Sequence, residues 1–84
     1  MKFTEFCKAN NIQLLREDMK FLRKHVKDLD DDLRKLVLMN YAQLWISHLE
    51  FNQNSSQAQN IARKQSNLWL LQESAKLKFS NKDN

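Results

Sequence analysis

The sequence predicts an all-α protein, a compact bundle of three long helices plus one short N-terminal helix. Three observations point there. The 84 residues include neither glycine nor proline, so the tight hairpins of most small β folds lack the residues they use at positive φ. Strong helix formers (Leu, Lys, Gln, Ala, Arg, Met, Glu) fill much of the chain. Apolar residues recur at helical spacing through most of it. Hydrophobic residues at 42% and charged residues at 29% are ordinary for a folded domain and argue against global disorder. A chain this short supports one core, burying about 64% of its unfolded surface. We expect a single domain over residues 1–79 and a frayed tail over residues 80–84.

The first helix is expected from Phe3 to Ala9, with Thr4 as N-cap. Asn10 and Asn11 should stop it, because Asn is the best non-glycine residue for a left-handed cap. A second helix is expected over residues 14–27. On a 100° wheel, Leu15, Met19, Leu22, Val26 and Leu29 form a core stripe. Arg16, Lys20, Arg23, Lys24 and Lys27 form the adjoining flank, and Phe21 and His25 lie on the other.

The acidic run from Asp28 to Asp32 has two readings. Apolar residues at 15, 19, 22, 26, 29, 33 and 36 keep 4-3 spacing, as one long helix in a coiled coil would. Three consecutive Asp residues suit an N-cap and first turn better than a helix interior. That chemistry favours a break, with Asp30 capping a third helix over residues 31–50. This helix is apolar on several faces. Leu33, Val37, Leu44 and Phe51 share one, Leu38, Trp45 and Leu49 another, Met39 and Ile46 a third. A helix of that kind belongs at the centre of the domain or against a partner.

Residues 52–56 (NQNSS) read as a loop, with Ser55 or Ser56 capping a fourth helix over residues 57–79. Its expected core face is Ile61, Leu68, Ala75 and Phe79, with Trp69 beside it. Asn60, Arg63, Asn67 and Ser74 form a polar stripe roughly opposite, and Leu70 and Leu77 point away from the core face.

Composition narrows the function. Without glycine, the Walker, Rossmann and nucleophile-elbow motifs are excluded. The lone Cys7 forms no intrachain disulfide, which suits an intracellular protein. No apolar run approaches a membrane span, and the start of the chain lacks the apolar segment of a signal peptide. We therefore expect a cytoplasmic protein with no membrane association. Cys7, His25 and His48 lack metal-ligand spacing. Nor do Cys7, His25 and Asp28 offer a supported nucleophile and base. We expect no metal, no cofactor and no catalytic residue. The net charge of +4 is mildly biased toward residues 51–84, which hold five basic and two acidic groups.

Two binding surfaces are expected. An apolar patch of Trp45, Leu49, Leu70 and Leu77, oriented by Arg63 and Asn67, suits a protein partner or a second copy of the chain. Alternatively, Lys20, Arg23, Lys24 and Lys27 meet phosphates while Asn60, Arg63, Lys64 and Asn67 contact nucleic acid from the fourth helix.

The segment Asn60-x-Ala62-Arg63-x-x-Ser66-Asn67-x-Trp69-Leu70 resembles an Asn-x-Gly-Arg-x-x-Ala-Asn-x-Trp-Leu pattern. That pattern is associated with short helical proteins from the replication or early regions of tailed phages and prophages. Phe6 to Asn11, Leu22-Arg23 with Val26, and the Tyr41 and Trp45 pair extend the resemblance over about residues 3–72. Where the pattern has glycines, this chain has Asn11 and Ala62. The resemblance implies a non-enzymatic phage-type accessory protein in the bacterial host cell. It would dock on a replication protein or another host protein, in one version as a homodimer. A small nucleic-acid-binding protein is the alternative, and an inhibitor of a bacterial defence or host enzyme a further one.

Overall fold

The computed structural model describes the backbone of residues 2–82 and the side chains of residues 2–77. Among the described residues there are four helices and no strand: α1 (Phe3–Ala9), α2 (Arg16–Val26), α3 (Asp31–Phe51) and α4 (Ala58–Lys82). The all-α bundle of one short and three longer helices is therefore observed.

Local chemistry sets most of the boundaries. Lys2, in extended backbone, is the N-cap of α1 and makes no side-chain cap bond, so Thr4 sits inside the helix instead of capping it. Asn11 takes φ 59°. Its N–H donates to Lys8 O, and the N–H of Ile12 donates to Cys7 O at 2.9 Å. That pair of bonds is a Schellman motif, and burial of both Ile12 and Cys7 supplies its apolar contact. α2 starts at Arg16, two residues later than expected. It ends where Arg34 donates to the carbonyls of Val26, Lys27 and Leu29, satisfying acceptors that the helix leaves open. The break at the acidic run is present. The Asp30 carboxylate accepts from Leu33 N at 2.8 Å, as an N-cap should. Asn52 closes α3 by donating from backbone and side chain to His48 O. The Ser55 hydroxyl accepts from Gln57 N at the entry to α4.

α3 is the centre of the domain. It runs antiparallel to α4, as the pairings of Trp45 with Gln59 and Tyr41 with Asn67 show. α2 runs parallel to α4, with Asp18 meeting Arg63 and His25 meeting Ser74. α1 lies against α3. The core joins Cys7, Ile12, Leu22, Val26, Val37, Tyr41, Ala42, Trp45, Ala62 and Leu70. Small residues at Ala42, Ala62 and Ser66, all 0% exposed, let α3 and α4 approach closely around the bulk of Tyr41 and Trp45.

Two expectations are corrected. Leu15, expected on the core stripe of α2, is exposed, while Asp18 beside it is buried. α4 is rotated by about half a turn from the expected orientation, at 100° per residue. Its inward face is Ala62, Ser66, Leu70 and Ser74, whereas Leu68 is 46% exposed and Ala75 is exposed. Phe79 lies outside the described side chains. Residues 80–82, expected in a frayed tail, continue the helix, and residues 83–84 lie outside the described residues.

Candidate functional site

The polar centre of the molecule is built around Asp18, only 3% exposed. It occupies the first turn of α2, where a carboxylate meets the positive end of the helix dipole. One oxygen, Oδ2, accepts from Leu15 N at 2.9 Å and from Arg63 Nε at 2.8 Å. The other, Oδ1, accepts from Asn67 Nδ2 at 3.3 Å. Asn67 in turn accepts the Tyr41 hydroxyl at 2.6 Å. Burial pushes the Tyr41 phenol well above its ordinary range; the Asp18 charge adds to that and the Arg63 charge opposes it.

Arg63 spends its guanidinium on this cluster. Besides Asp18 it donates to Asn60 Oδ1 and to Gln13 O, both at 2.8 Å. Its guanidinium carbon lies 5.3 Å from the Trp45 ring centroid, within cation–π range. Gln59 finishes the lacing by accepting from Trp45 Nε1 at 3.0 Å and donating to Asn11 O at 2.8 Å. The connector over residues 11–15 is thus tied to α4 by Gln59 and Arg63, and α2 is tied by Asp18.

This geometry relocates the sequence-nominated residues. Trp45 (0% exposed) and Leu70 lie in the core, so they do not form a surface patch. Leu49 and Leu77 are partly buried and pack against that core. Arg63 and Asn67 hold α2 and its connector, so they face inward where a recognition helix would face out. Asn60 is exposed but bonded to Arg63 and Gln57, and Lys64 is exposed. The Ala62, Arg63, Ser66, Asn67 and Leu70 pattern marks the inner face of α4. Its small residues fit the helix contact, and its polar ones satisfy Asp18.

Lys20, Arg23, Lys24 and Lys27 are exposed, and Arg16 joins them on the outward face of α2. Together they run about 16 Å along the helix at 1.5 Å per residue. Among the described residues the ion pairs are Arg34 with Asp31, Arg63 with Asp18 and Lys76 with Glu73. The ridge enters none of them, and Asp18 beside it turns inward to Arg63.

Cys7 is buried, and burial pushes its thiol up to about 11. Among the described residues no group of three or more His, Cys, Asp or Glu side chains is placed to hold a metal ion. No described helix is long and apolar enough to cross a membrane. Sequence reasoning passed over Asp18, Gln59 and Arg34. The one available signal was Asp18 itself, three residues after Leu15, where a first-turn carboxylate reaches back to the N-cap N–H.

What remains outside is apolar in places. Leu36 and Met39 stand one turn apart on α3, and Leu68 and Leu71 one turn apart on α4, each exposed by more than two-fifths. In comparisons with known proteins, no protein-family model, curated protein or solved structure matches the chain.

Proposed function

We propose that this chain is a non-enzymatic accessory protein of the phage or prophage type, acting in the bacterial host cytoplasm by docking on another protein. The observation that carries the docking reading is the exposed apolar surface of α3 and α4, where Leu36, Met39, Leu68 and Leu71 stand outside the buried core. Large apolar side chains paired along helix faces are a feature of protein interfaces. The phage-type part of the reading rests on the motif around Arg63 and Asn67. The inward geometry gives that motif a physical role in holding the fold.

The experiment is quantitative capture from host lysate with the parent chain, Leu36→Asp with Met39→Asp, and Leu68→Asp with Leu71→Asp. A partner enriched by the parent and lost from one folded variant supports docking. Equal capture by all three, or none, removes it. Sedimentation of the purified chain tests whether the partner is a second copy.

A second reading, nucleic-acid binding, is favoured by the α2 ridge, whose five cations are exposed and enter no ion pair among the described residues. Anisotropy with a mixed-sequence duplex and its single strand, at low and near-physiological salt, tests it. Phosphate contacts predict a logarithm of affinity that falls steeply with the logarithm of salt.

A further inference from the structure

We propose that the groove between α1 and α3 takes an acidic, apolar segment of a partner protein. This rests on the docking reading, shares Met39 with the exposed apolar surface that carries it, and names a specific groove and the chemistry of its partner.

The groove forms where Phe3 and Phe6 of α1 stand over Leu38 and Met39 of α3, and it encloses about 590 Å³. That lies within the roughly 300–1,000 Å³ of established ligand sites. A smaller depression of about 170 Å³ shares Phe3 and Leu38 and reaches α2 at Arg23. The floor of both is hydrocarbon, aromatic and thioether surface. Every charged residue lining them is a cation: Lys2 and Lys35 on the larger, Arg23 on the smaller. All three are exposed, and none joins an ion pair among the described residues.

An apolar floor with an all-cationic rim selects its occupant. Bulky apolar side chains fill the floor and gain by leaving water. Carboxylates flanking them meet Lys2, Lys35 and Arg23, which steers the encounter and fixes its register. A nucleic acid satisfies the cations but not the floor, which offers no amide or hydroxyl to base edges. The chain's own acidic segment, residues 28–33, is a poor occupant because Leu29 and Leu33 pack against its own core.

The probe is a short fluorescein-labelled peptide rich in Asp and Glu, with interspersed Leu and Phe, followed by anisotropy. Three comparison probes are the same peptide with Lys for its acids, the same peptide with Ser for Leu and Phe, and a mixed-sequence duplex. The parent should bind the first alone with appreciable affinity, and salt should weaken it. Lys2→Glu with Lys35→Glu should weaken it by about tenfold, as for reversed rim charges. The same variant should gain affinity for the Lys-substituted peptide. Both side chains are exposed, so circular dichroism and thermal midpoint should match the parent.

Equal binding of the Ser-substituted peptide or of the duplex overturns the proposal in favour of the charge ridge. So does a self-associated parent that the double variant dissociates, which makes a second copy the occupant. No peptide binding, with lysate capture still lost from Leu68→Asp with Leu71→Asp, overturns this groove and leaves the docking reading standing. Failure of both assays removes both.

Discussion

Arg63 and Asp18, 45 residues apart in sequence, meet through Nε and Oδ2 at 2.8 Å in a setting that leaves their side chains 19% and 4% exposed. The pair joins α4 to the start of α2. It is also the junction for Asn67, Gln13 O and Leu15 N. Removing one member of a buried pair strands the other, at a cost of about 3–5 kcal/mol. Asp18→Ala should therefore lose about 3 kcal/mol in urea unfolding. Asp18→Ala with Arg63→Met should lose less than the sum of the two single changes, because the stranded charge is gone. Additive losses would mean that the two residues act independently.

The caps at Asn11 and Asp30 and the helix content were legible in the sequence because their chemistry is local, whereas Thr4 was not the cap of α1. Asn11 needs only its own φ, and Asp30 only the amide three residues on. The orientation of α4 was not legible, because it is decided at long range. Arg63, Asn67 and Ser74 read as an outward polar stripe until their partners Asp18, Tyr41 and His25 arrive from 26 to 49 residues away. Small residues compounded the error. Ala62 and Ser66 carry little hydrophobicity, yet both are fully buried on the inner face of α4. Leu68 carries much and faces out. The placement of the expected site residues differs with the orientation: Leu70, expected outward, is buried, and Arg63 donates to Asp18.

A matched pair of leucines tests that orientation. Leu70 is 1% exposed and Leu68 is 46% exposed. Leu70→Ala should cost about 2–5 kcal/mol, the range for a buried leucine. Leu68→Gln should stay within about 0.5 kcal/mol of the parent, as exposed substitutions usually do. A larger loss at Leu68 than at Leu70 in denaturant would show that α4 sits in the sequence-expected orientation.

Asp30 separates α2 from α3. Asp30→Ala removes the acceptor for Leu33 N and should cost about 1 kcal/mol, the usual worth of an N-cap. Hydrogen exchange should accelerate first at the amide of Leu33. A variant with unchanged stability and unchanged exchange there would make the cap ornamental.

Cys7 lines a cleft of about 450 Å³ yet is only 2% exposed. Burial raises its thiol from 9.0 to about 11. Below pH 9 the thiol is protonated in both folded and unfolded chains, and it brings no pH dependence. Above that the unfolded chain sheds its proton first, so stability falls as pH rises toward and through about 11. Urea midpoints should drop between pH 8 and 10.5 by more in the parent than in Cys7→Ala. Iodoacetamide at pH 8 should label the native thiol far more slowly than the denatured one. Equal labelling rates would place Cys7 outside the core.

Ser66 is 0% exposed, and its hydroxyl has no hydrogen-bond partner among the described residues. It lies on the inner face of α4, between Ala62 and Leu70, where a larger side chain would push α3 away. An unsatisfied buried hydroxyl costs about 1–3 kcal/mol of desolvation. Alanine fits the same space and favours the helix interior more than serine does. Ser66→Ala should therefore raise stability by about 1 kcal/mol in urea, and Ser66→Val should lower it through overpacking. A loss of stability in Ser66→Ala would show that the hydroxyl bonds within the fold, most simply to a carbonyl one turn back. The pair of variants separates the two demands on this position, small volume and no hydrogen bond, that the helix contact places on one side chain.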